Sequence, residues 1–440
     1  MTFSAMRAIR LANVSKGNKS MLKKLNVYYN GWGEYWLWGT LVSSTAITGR
    51  PLIAFEYSAE AISKGLELSS YLLPLKGDSL RTNFPTHQMG LPGPIYDALP
   101  DGWGMLLMDR LFKKNGLNPA RIGPLERLTY INTHAMGALS FEPSAPELAL
   151  TENIPLIKLA QEVQQVLKGE GAEFLQHLLI MGGSPQGARP KALVYRDPVT
   201  NEFSTVSSHQ HEAWLIKFPA QQEHPEVCAI EAVYAECLRH CHIDTPDTQY
   251  FTLPNGLTAF ASKRFDRHDG MRIPMQSLAA FTGADFKSPG SLDYSNFLRA
   301  AHFCTNDVRE KAIAFKRAVF NVVFNNRDDH CKNFSFLMSQ NGQWKLSPAY
   351  DVTFCEGPGG YHQMDIMGEA LDIPRQALVK LGTQEAELSA QEVDEIISSI
   401  CKVAIRFSNI AHDLLPGQIQ TETLQMIQNR IEHNINYCTK

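Results

Sequence analysis

The sequence predicts an α+β fold of two lobes, a mixed α/β lobe followed by a mostly helical lobe, with a small β-rich subdomain in front. Three features indicate this arrangement. Residues 25–60 contain short runs that are typical of antiparallel strands. Further strand-like runs lie between residues 192 and 262, two of them joined by a turn signal. Residues 308–324 then have the length and apolar spacing of a long helix.

Length and composition limit the class of protein. At 440 residues the chain is long enough for two or three domains. Its 44% hydrophobic and 20% charged residues are ordinary for a soluble globular protein, and no stretch approaches the roughly 20 consecutive apolar residues of a membrane helix. A net charge of −4 argues against a dedicated non-specific nucleic-acid binder, because phosphates favour a basic protein. We expect a soluble, cytoplasmic protein without a membrane partner.

All eight cysteines lie in the second half of the chain, and none forms a Cys-x-x-Cys pair. We expect reduced thiols, since a chain of this size needs no disulfides. The cluster of Cys237, His240, Cys241 and His242 suggests a metal site as one alternative. However, Cys237 and Cys241 share helical spacing with apolar neighbours, which favours the buried stripe of a helix.

The first part of the chain has two predicted regions. Residues 1–20 carry four basic and no acidic side chains and no apolar export segment, which predicts a disordered tail or an upstream start-site artefact. Residues 21–150 are the predicted β-rich subdomain. Its predicted elements are strands at 25–31, 35–42 and 52–57, a hairpin turn at 31–34 and a helix at 104–115.

The rest of the chain is divided between the two predicted lobes. Residues 151–275 are the mixed lobe, and residues 276–440 are the helical lobe.

A glycine-rich segment in the mixed lobe, residues 182–191 (GGSPQGARPK), is followed by a strand-like run. Glycines let a backbone approach phosphates closely. The segment leads into a strand rather than a helix, as does the phosphate-covering loop of protein kinases. Gly183, Ser184, Gly187 and Lys191 are therefore candidate phosphate-binding residues. An ordinary surface turn explains the composition equally well.

Two charged residues follow in the order that a kinase requires. Lys217 lies in the apolar run 213–219, where a kinase places the lysine that binds the α- and β-phosphates. Glu231 lies on a helix that begins near Pro225, and a helical glutamate at this point would orient the lysine. Taken singly, Lys217 could be an edge-strand lysine and Glu231 a solvated surface charge.

The next segment, residues 263–267 (KRFDR), follows a predicted hairpin around Asn255 and Gly256. It would lie where the lobes of a kinase meet and adenine docks, so Phe265 is a candidate ATP contact. The two arginines and the aspartate fit a structural ion-pair cluster equally well.

The strongest signal follows the helix at 308–324. Asp328 and Asn333 have the Asp-x-x-x-x-Asn spacing of a kinase catalytic loop, in which the aspartate accepts the hydroxyl proton and the asparagine binds Mg²⁺. His330 lies in the same loop and is a candidate phosphate contact. A hairpin with a two-residue turn at 341–342 would bring Asn333 opposite position 350 and beside Asp351. Amide and carboxylate oxygens suit a hard cation. The alternative is a polar loop that caps a helix.

The order of these parts decides between the alternatives. A glycine loop, a strand lysine, a helix glutamate, a catalytic aspartate and two Mg²⁺ ligands follow one another as in a kinase. Phosphoryl transfer depends on positioning and charge neutralisation, so it uses all of these parts together. The sequence therefore predicts a protein-kinase-like fold that binds ATP and Mg²⁺.

The chain resembles the HipA-type toxin kinases of bacterial toxin–antitoxin systems from about residue 22 onward. The motifs that carry the resemblance are residues 182–191 (GGSPQGARPK), 215–219 (LIKFP), 263–267 (KRFDR), 326–333 (NRDDHCKN) and 346–351 (LSPAYD), with 98–103 (ALPDGW) in the N-terminal subdomain.

This resemblance implies specific roles. Lys217 would bind ATP, Asp328 would be the base, and Asn333 and Asp351 would hold Mg²⁺. Ser184 would be autophosphorylated, which would place negative charge beside the ATP phosphates and inactivate the enzyme. Substrates in this family include aminoacyl-tRNA synthetases. The usual partner is a small helix-turn-helix antitoxin, HipB-like, through which the chain would join DNA only indirectly.

Two other functions remain open. A small-molecule phosphotransferase of the aminoglycoside-kinase or choline-kinase type shares the Asp-x-x-x-x-Asn chemistry. A non-catalytic corepressor would only assist an antitoxin on DNA. The intact Asp328, Asn333 and Asp351 argue against the corepressor.

Overall fold

The computed structural model describes residues 23–45, 51–77, 79–131, 135–145, 153–170, 178–179, 181, 187–208, 210–221 and 223–440. The strands are β1 Lys24–Tyr29, β2 Trp36–Thr45, β3 Pro51–Tyr57, β4 Leu80–Arg81, β5 Leu139–Glu142, β6 Lys191–Arg196, β7 Phe203–Ser204, β8 Glu212–Lys217, β9 Thr248–Thr252, β10 Thr258–Lys263, β11 Arg267–His268, β12 Met271–Arg272, β13 Met275–Ser277, β14 Ser335–Met338 and β15 Trp344–Leu346.

The α-helices in the described ranges alternate with these strands at first and then fill the C-terminal third. They are α1 Ala59–Lys64, α2 Gly93–Tyr96, α3 Gly102–Lys114, α4 Pro124–Ile131, α5 Leu156–Leu167, α6 Val227–His240, α7 Leu278–Thr282, α8 Tyr294–Thr305, α9 Arg309–Val323, α10 Arg375–Lys380, α11 Ala390–Ala404, α12 Phe407–Leu414 and α13 Thr421–Thr439. No helix in these ranges has both the length and the apolar character that crossing a bilayer requires.

The N-terminal sheet contains the strands that the sequence predicts. Its order is β4-β3-β2-β1-β5, and each neighbouring pair is antiparallel. In β1 every second side chain is buried, because one face of the strand packs on the core and the other does not. The predicted turn after β1 is confirmed, and the amide of Glu34 donates to the carbonyl of Gly31 over 2.9 Å.

The second sheet positions two lysines of the candidate site. Its order is β7-β6-β8-β10-β9, again antiparallel. Lys191 begins β6, Lys217 ends β8, and the register pairs these two residues directly. Their backbones are therefore neighbours at one end of the sheet. The sheet brings together parts of the chain that lie 26 positions apart in sequence.

The core has two large parts. In the described residues, the N-terminal sheet and its helices share one continuous apolar core with β6, β8 and β10, through residues such as Trp38, Trp103 and Trp214. A second core joins the helices after residue 227. The mixed lobe therefore packs on the N-terminal subdomain, while the predicted boundaries at 150 and 275 stay a prediction.

Cys237 on α6 and Cys241, which caps the C-terminus of α6, are both buried in the second core, as the helical spacing predicts. Burial raises the pKa of Cys241 to about 12, so this thiol stays protonated. Within the described ranges, no three His, Cys, Asp or Glu side chains are grouped so that they could hold a metal ion. The burial of Cys237 and Cys241 at this helix supports the interpretation as a buried helical stripe.

The predicted two-residue turn between β14 and β15 is wrong. Ser339 pairs with Gln343 through its amide, and residues 340–342 form a three-residue loop. Phe336 lies opposite Leu346, which shifts the register by one position from the predicted one. The reason is Gly342, whose φ of 80° adds a left-handed residue after the turn and forms a bulged hairpin.

Candidate active site

A cleft of about 650 Å³ lies between the second sheet and the helical lobe. Nine residues that the sequence predicts for the site line this cleft, namely Gly187, Lys191, Lys217, Glu231, Phe265, Asp328, His330, Asn333 and Asp351. Gly183 and Ser184, which the sequence also predicts, lie outside the described residues. The cleft is therefore lined by residues 187–191 (the predicted phosphate segment), the second sheet, α6, residues 325–333 (the predicted catalytic loop) and the segment after β15.

Lys217 is buried between two carboxylates, of which Glu231 is buried and Asp351 is 31% exposed. Its ammonium group is 2.5 Å from a carboxylate oxygen of Glu231 and 2.5 Å from a carboxylate oxygen of Asp351. The side chains of Lys217 and Glu231 are only 6% and 3% exposed. Glu231 is buried on α6, which packs against the neighbouring strand β10. Neither the edge-strand interpretation of Lys217 nor the surface-charge interpretation of Glu231 fits this geometry.

Mutual neutralisation keeps these groups ionised. Burial alone would lower the pKa of Lys217, but the charges of Asp351 and Glu231 outweigh burial and raise that pKa. Burial would likewise raise the pKa of Asp351, yet Lys217 and Lys191 hold that pKa well below its ordinary value. Burial lowers the pKa of Lys191 to about 8. Asp351 therefore stays a carboxylate in a strongly positive environment.

Arg189 is a member of this cluster that sequence reasoning missed. Its guanidinium group pairs with Glu231 and, at 3.1 Å, with Glu223. Glu231 therefore holds Lys217 with one carboxylate oxygen and Arg189 with the other. Arg189 lies in the glycine-rich segment, but nothing in that segment distinguishes it from a solvated arginine.

Gly187 is a position where only glycine fits. Its φ of 106° lies in the left-handed half of conformational space, which side-chain-bearing residues rarely adopt. A Cβ at this position would also collide with the ammonium group of Lys191. The segment at 187–191 therefore passes close to the charged groups of the cleft, as a backbone that approaches phosphates must.

The catalytic loop begins with a left-handed turn. After α9 ends at Val323, Asn325 has a φ of 55°, and its side-chain amide donates to the carbonyl of Cys355 over 3.1 Å. Asn434, on α13, donates to the side-chain oxygen of Asn325 over 3.1 Å. Asn326 and Cys355 form an isolated parallel bridge. These contacts keep the loop beside the segment that follows Asp351.

A hydrogen bond between Asn333 and Asp328 joins the two ends of the loop. The Asn333 side-chain nitrogen donates to the backbone carbonyl of Asp328 over 2.7 Å. This bond uses the nitrogen of the Asn333 amide and leaves its oxygen as the atom suited to a cation. The Asp328 carboxylate accepts a 2.8 Å bond from the side-chain amide of Gln363. His330 lies 3.7 Å from the same carboxylate oxygen.

The surroundings of Asp328 suit a proton acceptor. Desolvation in the cleft is the largest cause that raises its pKa. His330 opposes this effect, and the charges of Asp351 and Asp329 add to the rise. A carboxylate with a raised pKa is a stronger base than an aspartate of ordinary pKa, so Asp328 suits general-base chemistry.

The neighbouring Asp329 anchors the loop through hydrogen bonds. It is fully buried and accepts bonds from the hydroxyl of Tyr294 over 2.8 Å and the backbone amide of Gln363 over 2.8 Å. His362 lies 2.7 Å from the same carboxylate. Sequence reasoning missed His362 and Gln363 because they lie 33 and 34 residues beyond Asp329 and belong to no spacing pattern.

Tyr350 joins the hairpin to the catalytic loop. Its hydroxyl donates to the carbonyl of Lys332 over 2.7 Å, and it lies 2.6 Å from the hydroxyl of Ser335. Asp351 follows with a φ of 57°, an uncommon conformation for aspartate. Asn333 and Asp351 thus line the same cleft although the predicted register is shifted by one.

Phe265 lies in the cleft with its ring centroid 5.3 Å from that of Tyr350. The charged residues beside it have another role. Asp266 is fully buried and pairs with Arg264 and Arg267, each over 2.8 Å. It also accepts a 2.8 Å bond from the amide of Gly137 in the N-terminal subdomain. The ion-pair interpretation of this motif is therefore the one that fits, and the cluster connects the two parts of the chain.

The donor atoms around the cleft fit Mg²⁺ and a nucleotide. Proteins usually hold Mg²⁺ with one or two carboxylates, and substrate phosphates complete the shell. Asp351 and Asn333 provide such oxygen atoms, with Asp328 beside them. In the described part of the chain, the Nδ1 atom of His330 is buried without a hydrogen-bond partner, which fits a position beside a bound phosphate.

Comparisons with known proteins show the family of this chain. A model of the HipA-like C-terminal domain matches residues 183–406, and a model of the HipA N-terminal domain matches residues 33–142. The chain belongs to the HipA family. Of the charged residues that line the cleft, Asp97 and Asp101 lie outside the first match, and the others lie within it.

Two curated relatives of this HipA-family chain are named as kinases. "Putative kinase Y4dM" of Sinorhizobium fredii is 29% identical over 319 residues, which cover 69% of this chain and 72% of that protein. "Putative kinase" of Haemophilus influenzae is 27% identical over 192 residues, which cover 39% of this chain and 52% of that protein. The chain thus matches about half the length of the Haemophilus protein.

A solved structure shares the fold. HipA of Shewanella oneidensis, in a complex with HipB and operator DNA, superposes with a TM-score of 0.67 and 18% identity, covering 94% of this chain and 96% of that one. The predicted fold, protein-kinase-like and two-lobed behind a β-rich subdomain, is therefore confirmed.

Proposed function

We propose that this HipA-family protein is an ATP- and Mg²⁺-dependent serine/threonine protein kinase that acts as the toxin of a toxin–antitoxin module. One observation carries the proposal. The ion pairs that join Lys217 to Glu231 and Asp351 lie in the same cleft as the loop that contains Asp328 and Asn333. Phosphoryl transfer needs this combination of phosphate binding, metal binding and a base.

Each residue has a distinct role in the proposed reaction. Lys217, oriented by Glu231, binds the α- and β-phosphates of ATP, and Gly187 and Lys191 contribute to phosphate binding above them. Asn333 and Asp351 hold Mg²⁺, which supplies positive charge to the phosphates when bound. Asp328 accepts the proton of a serine or threonine hydroxyl while the hydroxyl oxygen bonds to the γ-phosphorus and the bond to ADP breaks.

Family membership supports a proposal for the cellular role. We propose that the substrate is a protein such as an aminoacyl-tRNA synthetase, so that its phosphorylation inhibits translation in the cytoplasm. The partner is a HipB-like helix-turn-helix antitoxin, by analogy with the Shewanella complex that contains HipB and operator DNA. DNA contact would then be indirect. Autophosphorylation at Ser184 would add charge beside the nucleotide and stop the enzyme.

A small-molecule phosphotransferase is the second candidate, because the charged groups of the cleft suit either type of acceptor. The resemblance to HipA-type toxin kinases implies a protein acceptor, which favours the first candidate. A corepressor role alone would not require the ion pairs of Lys217 or the hydrogen bonds around Asp328, since neither group is needed to hold a partner protein.

The proposal is tested by following label from γ-labelled ATP. The purified chain with Mg²⁺ is added to a cell extract that has been separated into protein and small-molecule fractions. We expect label on serine or threonine of one or a few proteins, and on Ser184 of the chain itself when its peptides are sequenced by mass spectrometry. Label that enters only small molecules would favour the second candidate, and no transfer to either fraction would contradict both enzyme functions.

A further inference from the structure

The N-terminal subdomain reaches into the candidate active site through the turn at residues 98–103. Asp101 is the N-cap residue of α3, and it lines the cleft. One oxygen of its carboxylate accepts the backbone amide of Gly187, and the other accepts the ammonium group of Lys332 over 3.0 Å. A single carboxylate therefore joins the phosphate segment to the catalytic loop.

The turn is built for close contact with the phosphate segment. Gly102 has a φ of 31°, and a Cβ there would lie 2.6 Å from the Cα of Ala188. The backbone amide of Trp103 donates to the carbonyl of Gly187 over 3.1 Å, and its indole nitrogen donates to the carbonyl of Lys191 over 3.1 Å. The turn thus contacts both ends of the segment 187–191.

Lys332 is the partner of Asp101 on the catalytic loop, directly before Asn333. Its side chain is 3% exposed, and its ammonium group lies 4.8 Å from the ring centroid of Tyr96 and 4.5 Å from that of Phe286. Burial would raise the pKa of Asp101, but Lys332, the backbone amide of Gly187 and Lys191 together outweigh burial, and that pKa is lowered. The pair is therefore ionic, and both of its members are confined by packing.

We propose that Asp101 is a positioning residue, which fixes the distance between the phosphate segment at Gly187 and the catalytic loop at residues 332–333. This inference rests on the proposed kinase function. A γ-phosphoryl group bound by the segment at Gly187 would have to be in line with the hydroxyl that Asp328 would deprotonate. A displacement of about 1 Å can cost about a hundredfold in rate. The N-terminal subdomain would then be part of the catalytic machinery rather than an appendage.

The test separates the two bonds of Asp101. In Asp101→Asn the side-chain oxygen can still accept the amide of Gly187, but the charge that holds Lys332 is lost. We expect kcat for phosphoryl transfer to fall about ten- to a hundredfold, while the affinity for MgATP, measured with a fluorescent analogue, changes less than about threefold. Asp101→Glu keeps the charge and should recover part of the rate. Thermal unfolding curves identify any variant that fails to fold.

Two controls make the result decisive. Glu60→Gln removes a carboxylate from an exposed position of the same subdomain and should leave kcat unchanged. Asp328→Asn tests the kinase proposal in the same assay. If the parent transfers phosphate through Asp328 and Asp101→Asn keeps its full kcat, the inference is wrong while the kinase function stands. A more than tenfold loss of MgATP affinity with unchanged kcat would also overturn it, because Asp101 would then act in binding.

Discussion

Replacing Asp328 by Asn is expected to lower the rate of phosphoryl transfer by about 10²- to 10⁴-fold, the usual contribution of a general base. The substitution keeps the shape of the side chain and an oxygen that can accept the bond from Gln363. It removes the proton acceptor. Nucleotide binding should change little, because Lys217, Asn333 and Asp351 are intact. Single-turnover transfer from labelled ATP measures the first effect, and calorimetric titration with MgATP measures the second.

The matched control for this variant is Asp413→Asn, which makes the same chemical change at an exposed position in α12. It should transfer phosphate at the parental rate. A rate for Asp328→Asn within about threefold of the parent would mean that another group takes the proton. A parallel loss of MgATP affinity would instead make Asp328 a binding group.

Replacing Asp351 by Asn is expected to abolish the effect of Mg²⁺ on nucleotide binding. Mutating groups that only support a metal ligand typically costs about 10- to 100-fold in metal affinity, so removing the carboxylate ligand should cost at least as much. The substitution also leaves Lys217 with Glu231 as its remaining acidic partner among those that the structure describes. Calorimetric titration of ATP at increasing Mg²⁺ concentrations measures the change.

The same titration without metal is an internal control, because the affinity for ATP is expected not to fall there. Asp351 repels the phosphates of ATP when no cation lies between them, so its removal should leave metal-free ATP binding unchanged or stronger. A loss of ATP affinity both with and without Mg²⁺ would indicate a damaged cleft instead of a lost ligand. An unchanged Mg²⁺ dependence would contradict the assignment of Asp351.

Local patterns were sufficient to predict the parts of the site that depend on short spacing. Asp328 and Asn333 belong to one loop, and their separation is readable because the helix before them is strongly periodic. Lys217 and Glu231 could be ordered along the chain, although their contact depends on how the sheet packs against α6. The register of β14 and β15 could not be predicted correctly, because Gly342 permits a bulged turn as readily as a two-residue turn.

Contacts between distant segments could not be read from the sequence. Asp101 meets Lys332 across 231 positions of the chain, and no spacing rule connects them. Gln363 reaches Asp328, and His362 reaches Asp329, from a segment without regular structure. In the sequence such residues resemble ordinary polar loop residues, because their contacts form only in the folded chain. Sequence reasoning therefore found the groups proposed for chemistry and missed the residues that position them.

The central claim is that Asn333 and Asp351 hold a metal ion on the phosphates of ATP, with Asp328 facing the γ-phosphoryl group. A crystal structure with a non-hydrolysable ATP analogue and Mn²⁺ in place of Mg²⁺ tests it most directly, since Mn²⁺ is located by its anomalous scattering. We predict an anomalous peak bonded to oxygens of Asn333, Asp351 and the analogue. A nucleotide bound elsewhere, or a metal ion that contacts neither side chain, would contradict the account.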